Sequence, residues 1–208
     1  ELPEDLYFAI ADYLKKALYK GFGGTLEEFA GKDLELLSEL RENIYMFSAA
    51  KTFQQIREMV ELVAQSDNFK EFKEAAKETY DIYNDTWLQA EYNTCIGQAT
   101  MASQWNEIEK NKDVLPYLKY SAILDDRTSD ICEPLDGVTL PVDDPFWDDY
   151  SPLNHFNCRC VLEQLDEAEV TPEEDVDKLS ETLGETVQPE FKMNPGKDGY
   201  IFNDNPPY

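Results

Sequence analysis

Three scarcities frame this chain of 208 residues. Cations are few: 18 Lys and Arg face 44 Asp and Glu, giving a formal charge of −26 at pH 7. Non-specific binding to nucleic acid is driven by cations that displace counterions from phosphates, so this balance argues against direct nucleic-acid contact and against an anionic membrane surface. No basic run exceeds Lys15-Lys16. Long apolar runs are missing as well. Nothing approaches the ~18 residues of a membrane span, and no Arg/Lys-led apolar segment of the secretory kind opens the chain. The chain begins at Glu1 rather than Met, as a trimmed or processed product would, which is compatible with a removed leader or N-terminal domain. Histidine occurs once, at His155. Together with the lack of a phosphate-binding glycine loop, that leaves no assembled catalytic set in view.

What is present suffices for a packed core. Hydrophobic residues make up 42% of the chain and aromatics 12%, which excludes wholesale disorder despite the charge. Residues 1–113 read as a helical region. Leu6, Ile10, Tyr13, Leu14, Ala17 and Leu18 recur at three- and four-residue steps, and Gly21 is placed as the stop of that helix. Thr25 with Glu28 fits a capping box. Leu37, Leu40, Ile44 and Phe47, then Phe53, Ile56, Val60 and Val63, predict one long helix or two with a break near Ser48. Phe69, Phe72, Ala76, Tyr80 and Tyr83 mark the next helix. Asn84-Asp85-Thr86 reads as a cap cluster ahead of a last helix carrying Leu88, Tyr92, Cys95, Ala99, Ala102 and Trp105. Cys95, on that apolar stripe, reads as a buried small residue.

Residues 114–165 lose the helical period. Leu118 to Leu124, Val138 to Val142 and Cys160 to Leu162 are candidate short strands. A loop-rich unit of this size buries little core by itself and calls for a staple. Residues 166–208 form an acidic linker and tail. Positions 166–190 hold ten acidic side chains and one basic one, Lys178, predicting a solvated linker with a short helix near Leu179. From 191 to Pro206-Pro207-Tyr208 the chain reads as extended, with Phe191, Tyr200, Ile201 and Phe202 available to dock on the body. The fold class expected is therefore α+β: a helical half, a small loop-rich β module with a zinc-type site, and an extended acidic tail.

The staple has candidates. Cys132, Cys158 and Cys160 fall within twenty-nine residues, with His155 three positions before Cys158. Three thiolates and an imidazole make a complete tetrahedral set for zinc, and a set with no open position holds a fold rather than catalysing. Cys158 and Cys160 would face opposite ways on a regular strand, so the chain must bend at Arg159. Otherwise Asp126 or water would have to complete the set. A disulfide from Cys132 to either later cysteine, or unrelated buried thiols, are the alternatives. Asp126 and Arg127 read as a local pair fixing the turn that presents Cys132. In the rival reading, a metal-dependent hydrolase or nuclease, Asp125 or Asp126 would act as base. Asp143-Asp144 with Asp148-Asp149 lacks the spacing of a calcium loop, and Phe146 and Trp147 read as anchors of that loop on the core.

The ordered run Asp125-Asp126-Arg127-Thr128-Ser129, Cys132, Leu135-Asp136-Gly137, Pro145-Phe146-Trp147, Pro152, His155 and Asn157-Cys158-Arg159-Cys160 closely resembles the phage Mu F-like head morphogenesis family. The likeness covers about 87–163 well and 191–203, through Asn194-Pro195-Gly196-Lys197 and Phe202, weakly. Residues 1–86 match only in being helical. The resemblance implies a non-enzymatic minor head protein of a phage or prophage. Such a protein is made in the bacterial cytoplasm, is carried in the virion, associates with portal or capsid proteins, and assists head assembly or the fate of packaged DNA. It assigns no catalytic residue. In some relatives the motif is fused to toxin or effector domains, which makes an effector-associated module a further alternative. Some members place His where this chain has Cys132, a swap that suits a metal ligand.

Overall fold

The computed structural model describes residues 3–203. The Pro206-Pro207-Tyr208 end of the tail lies outside the described residues. Helix α1 runs Glu4–Phe22 and buries Ile10, Ala11, Leu14, Ala17 and Leu18, as their spacing predicts. It does not stop at Gly21. It ends two residues later, where Gly23 takes the left-handed cap with φ of 99°. Gly21 is instead the point where α1 touches helix α4 (Leu88–Asn111): a Cβ there would lie 2.2 Å from the Ile96 carbonyl oxygen. The Thr25–Glu28 capping box forms, with the Thr25 N–H donating to Glu28 Oε2 at 2.7 Å.

Helix α2, Gly31–Gln65, is one uninterrupted helix of 35 residues. Ser48 does not break it, because its buried hydroxyl donates back to the Ile44 carbonyl inside the helix. Helix α3, Phe69–Asp81, opens on an Asn68 cap. The cap cluster expected at Asn84-Asp85-Thr86 does not start a helix. The chain passes through a π-helical stretch, Ile82–Trp87, directly into α4. The wider turn there sets Tyr83 inside the body, 1% exposed, with its hydroxyl donating to Glu58 on α2 at 2.6 Å.

Strands β1 (Tyr117–Ser121), β2 (Thr139–Pro141) and β3 (Val161–Leu165) form one antiparallel sheet in the order β2-β1-β3. Leu118 pairs with Leu140 on one side and with Gln164 on the other. Helix α5, Phe146–Tyr150, anchors the following loop as expected: Phe146 and Trp147 are buried, and the Trp147 ring N–H donates to the Pro141 carbonyl at 2.9 Å.

The acidic stretch carries the helix expected near Leu179, but longer and not merely solvated: it is α6, Glu173–Thr186, whose Leu183 is buried against the sheet side. Its three acidic residues at positions 173–175 sit in the first turn, where the helix dipole favours them. After α6, Val187 and Phe191 are buried too, and α7 (Pro195–Asp198), capped by Asn194, lays Gly196 on Trp105. The next turn carries Ile201 into the helical core and stacks Phe202 on Phe47 at 3.9 Å.

Two hydrophobic clusters result. One joins α1, α2 and the Cys95, Ala99 and Ala102 face of α4. The other joins Met101, Trp105 and Ile108 of α4 to the sheet, α5 and α6. The strand region is thus not short of core, as its length alone suggests. It borrows a face of α4 and one of α6, and only its loop side is left to a small cluster of Cys132, Leu153 and Cys158.

Candidate metal centre

The loop side is assembled from two irregular segments, one on each side of β2 and α5. In the first, the Asp125 N–H donates to Thr128 Oγ1 at 2.7 Å, and Asp125 Oδ1 accepts the Arg127 N–H at 2.9 Å. This closes a turn that delivers Ser129 and Cys132. The Cys132 N–H then donates to Ser129 Oγ at 3.1 Å. In the second segment Asn157 adopts a left-handed conformation, φ of 59°, and the Cys158 N–H closes a turn onto the His155 carbonyl at 3.2 Å. Cys158, Arg159 and Cys160 lie before β3 in non-strand geometry. The bend that both sulfurs require at Arg159 is therefore present.

The sulfurs of Cys132, Cys158 and Cys160 lie within 4.8 Å of one another. Cys132 and Cys158 are 3.6 Å apart, and all four cysteines of the chain are free thiols. Cys95 is elsewhere, fully buried, with its thiol on the Leu14 carbonyl at 3.4 Å. Burial pushes that thiol well above its ordinary range. His155 stands at the edge of the trio, its Nε2 3.1 Å from Cys132 Sγ and 2.9 Å from Ser129 Oγ. Its Nδ1 faces the Phe156 carbonyl at 2.8 Å. A carbonyl can only accept, so Nδ1 carries a proton, and Nε2 is the nitrogen turned to the sulfurs.

The charges follow the same logic. Hydrogen bonds from Cys132 and Cys160 favour the Cys158 thiolate and hold its pKa far below the thiol range. Cys160 moves the other way, because its neighbours and burial resist a second negative charge. His155, hydrogen-bonded to Cys132 and then to Cys158, is pushed up to about 10. Soft donors that crowd one point in this way are chemically suited to a divalent soft metal.

The aspartates divide differently from the expected Asp126–Arg127 pair. Asp125, not Asp126, makes the ion pair, and its partner is Arg159, with two bonds of 2.7 and 2.8 Å. The Arg159 guanidinium holds the Asp125 carboxyl down at about 2. The bridge ties the two segments together just outside the sulfurs. Asp126 is exposed on the turn and does not join the group of converging ligand atoms. Asp143 pairs with Lys112 at 2.9 Å and Asp144 caps α5 at 2.9 Å, so both serve the fold.

Three further side chains complete this site, none of them given a role there by residue type and spacing. Ser129 bridges Cys132 and His155. The Tyr120 hydroxyl lies buried beside the thiols, with its ionisation suppressed by burial and by their charge, and accepts from Asn154 at 3.0 Å. Asn154 also bonds the Tyr150 carbonyl at 3.3 Å and so orients the loop that carries His155. Ser129 sits three residues before Cys132 and Asn154 directly before His155, and that adjacency was the available signal.

Comparison with known proteins agrees with the motif. No solved structure matches this chain. It is 32% identical over 77 residues to the putative capsid assembly protein F of Escherichia phage Mu, an alignment covering 37% of this chain and 18% of that protein. It is 36% identical over 66 residues to the Mu-like prophage FluMu F protein of Haemophilus influenzae, covering 32% of this chain and 16% of that one. The match thus spans less than a fifth of either relative. The family described as phage Mu protein F like protein matches residues 54–163, more than half of the sequence, from the second half of α2 through the sulfur cluster, and the chain belongs to that family.

Proposed function

We propose that this chain acts in phage or prophage head assembly as a non-enzymatic minor head protein. In this reading it is carried in the virion and docks on portal or capsid proteins, with a structural zinc site closing its loop lobe. Cys132, Cys158, Cys160 and His155 would hold the metal, which supplies a cross-link between the two segments. One observation carries the metal reading: three thiols converge while the Nδ1 bond to the Phe156 carbonyl leaves Nε2 of His155 aimed at them. A carbonyl that fixes the tautomer of a histidine from its far ring nitrogen is the usual companion of a metal-bound imidazole. The assembly role rests on family membership and on the name of the phage Mu relative, a capsid assembly protein. With 44 acidic side chains against 18 basic ones, the chain is better matched to basic patches on protein partners than to DNA.

Elemental analysis of the purified chain tests the site. About one equivalent of zinc is expected, lost in Cys132→Ser and in Cys158→Ser, and stripping it with a chelator lowers the melting temperature. Substoichiometric metal, or a melt indifferent to chelation, overturns the structural-zinc reading. Co-purification with the cognate portal protein tests the assembly role. Nuclease or hydrolase activity lost in Asp126→Ala, with the fold intact, would overturn the non-enzymatic assignment.

A further inference from the structure

The outer face of α2 is apolar where no other described residue covers it. Met46, Phe53 and Val60 are 69%, 57% and 63% exposed, and Val63 is 60% exposed. Their spacing is regular. Met46, Phe53 and Val60 recur every seven residues, and Ala49, Ile56 and Val63 recur every seven beside them. On a helix of 3.6 residues per turn these two rows form one seam that drifts slowly around the axis, the pattern of a left-handed coiled coil. The opposite face, through Leu40, Ile44, Phe47, Lys51 and Gln55, is the one buried in the body. The seam is therefore a second apolar face of a helix already packed on its first. Isolated exposed apolar residues need no explanation, but a seam running about 26 Å along one helix does.

We infer that this face pairs α2 with α2 of a second copy, antiparallel. The seam is self-complementary in that orientation. With the two-fold axis at the level of Gln54 and Gln55, Met46 meets Val63 of the second copy, Ala49 meets Val60, and Phe53 meets Ile56. Every large residue then faces an apolar partner, as an isologous interface requires. Charge favours the same occupant. Of the charged residues in 43–65, Lys51 is buried against Glu91 on the far face, and Arg57, Glu58 and Glu61 remain, a net charge of only −1 in a chain of −26. Arg57 and Glu61 at the edge of the seam already pair with each other at 3.8 Å. In the antiparallel register Arg57 lies level with Thr52 of the second copy and Glu61 with Ser48, so no like charges face across the contact. Elsewhere a second copy would meet the acidic excess. A single seam buries less than the standard interface of about 800 Å² per partner, so the pairing is expected to be weak and reversible, in the micromolar range or above. In a crowded assembly site such a contact gains strength from any partner that holds two copies together.

Sedimentation of the zinc-loaded chain from about 1 µM to about 1 mM is the test, because that range brackets a contact of this size. A monomer–dimer equilibrium is expected, weakened at least ~10-fold in Phe53→Glu/Val60→Glu, with an unchanged circular dichroism spectrum and zinc content. Register is read from Ala49→Cys/Val60→Cys under mild oxidation. The two positions lie about 16 Å apart within one helix and cannot bridge internally, so a 49–60 link found by peptide mapping joins two copies antiparallel. A strictly monomeric chain at the top concentration overturns the inference. So does a dimer insensitive to Phe53→Glu/Val60→Glu, or one cross-linked 49–49 and 60–60 in parallel.

Discussion

Lys51 with Glu91, and the sulfur cluster with His155, are two polar centres enclosed by the same chain in opposite surroundings. The ion pair, 2.7 Å long, is buried between α2 and α4, and both side chains are nearly inaccessible to water. The Lys51 ammonium also lies 5.2 Å from the centre of the Tyr83 ring. Burial pulls Lys51 below its ordinary pKa, and Glu91 only partly restores it. Around this pair stands a helical core of leucines and isoleucines that continues without it. The sulfur cluster has no such reserve: its own apolar cluster is Cys132, Leu153 and Cys158. A polar group inside an ample core is an embellishment, whereas the same group in a thin core is the structure. The comparison teaches that burial alone does not rank the two, and that what remains after removal does.

The largest effect expected is therefore at the sulfurs. On the proposed zinc site, stripping the metal should cost about 4 kcal/mol at free metal a thousandfold above Kd, or roughly 8–16 °C in Tm for a chain of this size. Hydrogen exchange should localise the loosening to positions 122–137 and 151–160, leaving β1–β3 protected. Global unfolding on chelation would show instead that the sheet-side core fails to stand alone.

Next comes the ion pair. Glu91→Ala should destabilise by about 3 kcal/mol in denaturant melts, since it strands a buried ammonium. Replacing both partners, as Lys51→Met with Glu91→Leu, should recover most of that loss. No pair of apolar substitutions should do the same for Cys132 and Cys158. Recovery at the cysteines would erase the distinction between the two centres.

Gly21→Ala should cost roughly 2 kcal/mol, because the added methyl overlaps the Ile96 carbonyl and α1 must back away from α4. The smallest effect is at the Asp125–Arg159 bridge. Asp125 has a folded pKa of about 2, below its ordinary 3.8, so its contribution is complete above 3.8 and disappears as pH falls through about 2. Asp125→Asn should flatten the stability profile in that acid window, leaving the variant slightly less stable than the parent at neutral pH and equal to it once the pH is below about 2.

Much of this architecture is legible in the sequence where local rules decide. The stripes of α1 and α2, the Thr25–Glu28 box, the three strand segments and the convergence of Cys132, Cys158 and Cys160 all follow from spacing and residue type. The misreadings occur where a distant partner overrides local preference. Asn84-Asp85-Thr86 has cap chemistry, yet the helix continues because Tyr83 finds Glu58, 25 positions back. Asp126 and Asp125 look equivalent in sequence, and Arg159, 34 positions on, selects one of them. The acidic stretch around α6 looks solvated because its apolar residues are few. Leu183, Val187 and Phe191 nonetheless find a surface waiting on the sheet side.

Asn43 on α2 carries a consequence for synthesis. Its side chain accepts from the backbone N–H groups of Ile201 and Phe202 at 2.9 and 3.0 Å and donates to the Phe202 carbonyl at 2.7 Å. A nascent chain leaves the ribosome N-terminus first, so the notch beside Asn43 and Phe47 stays open until translation has passed residue 202. Completion of the helical core is thereby timed to the end of this stretch. Until then the early helices present an unfinished apolar edge to whatever chaperone meets them.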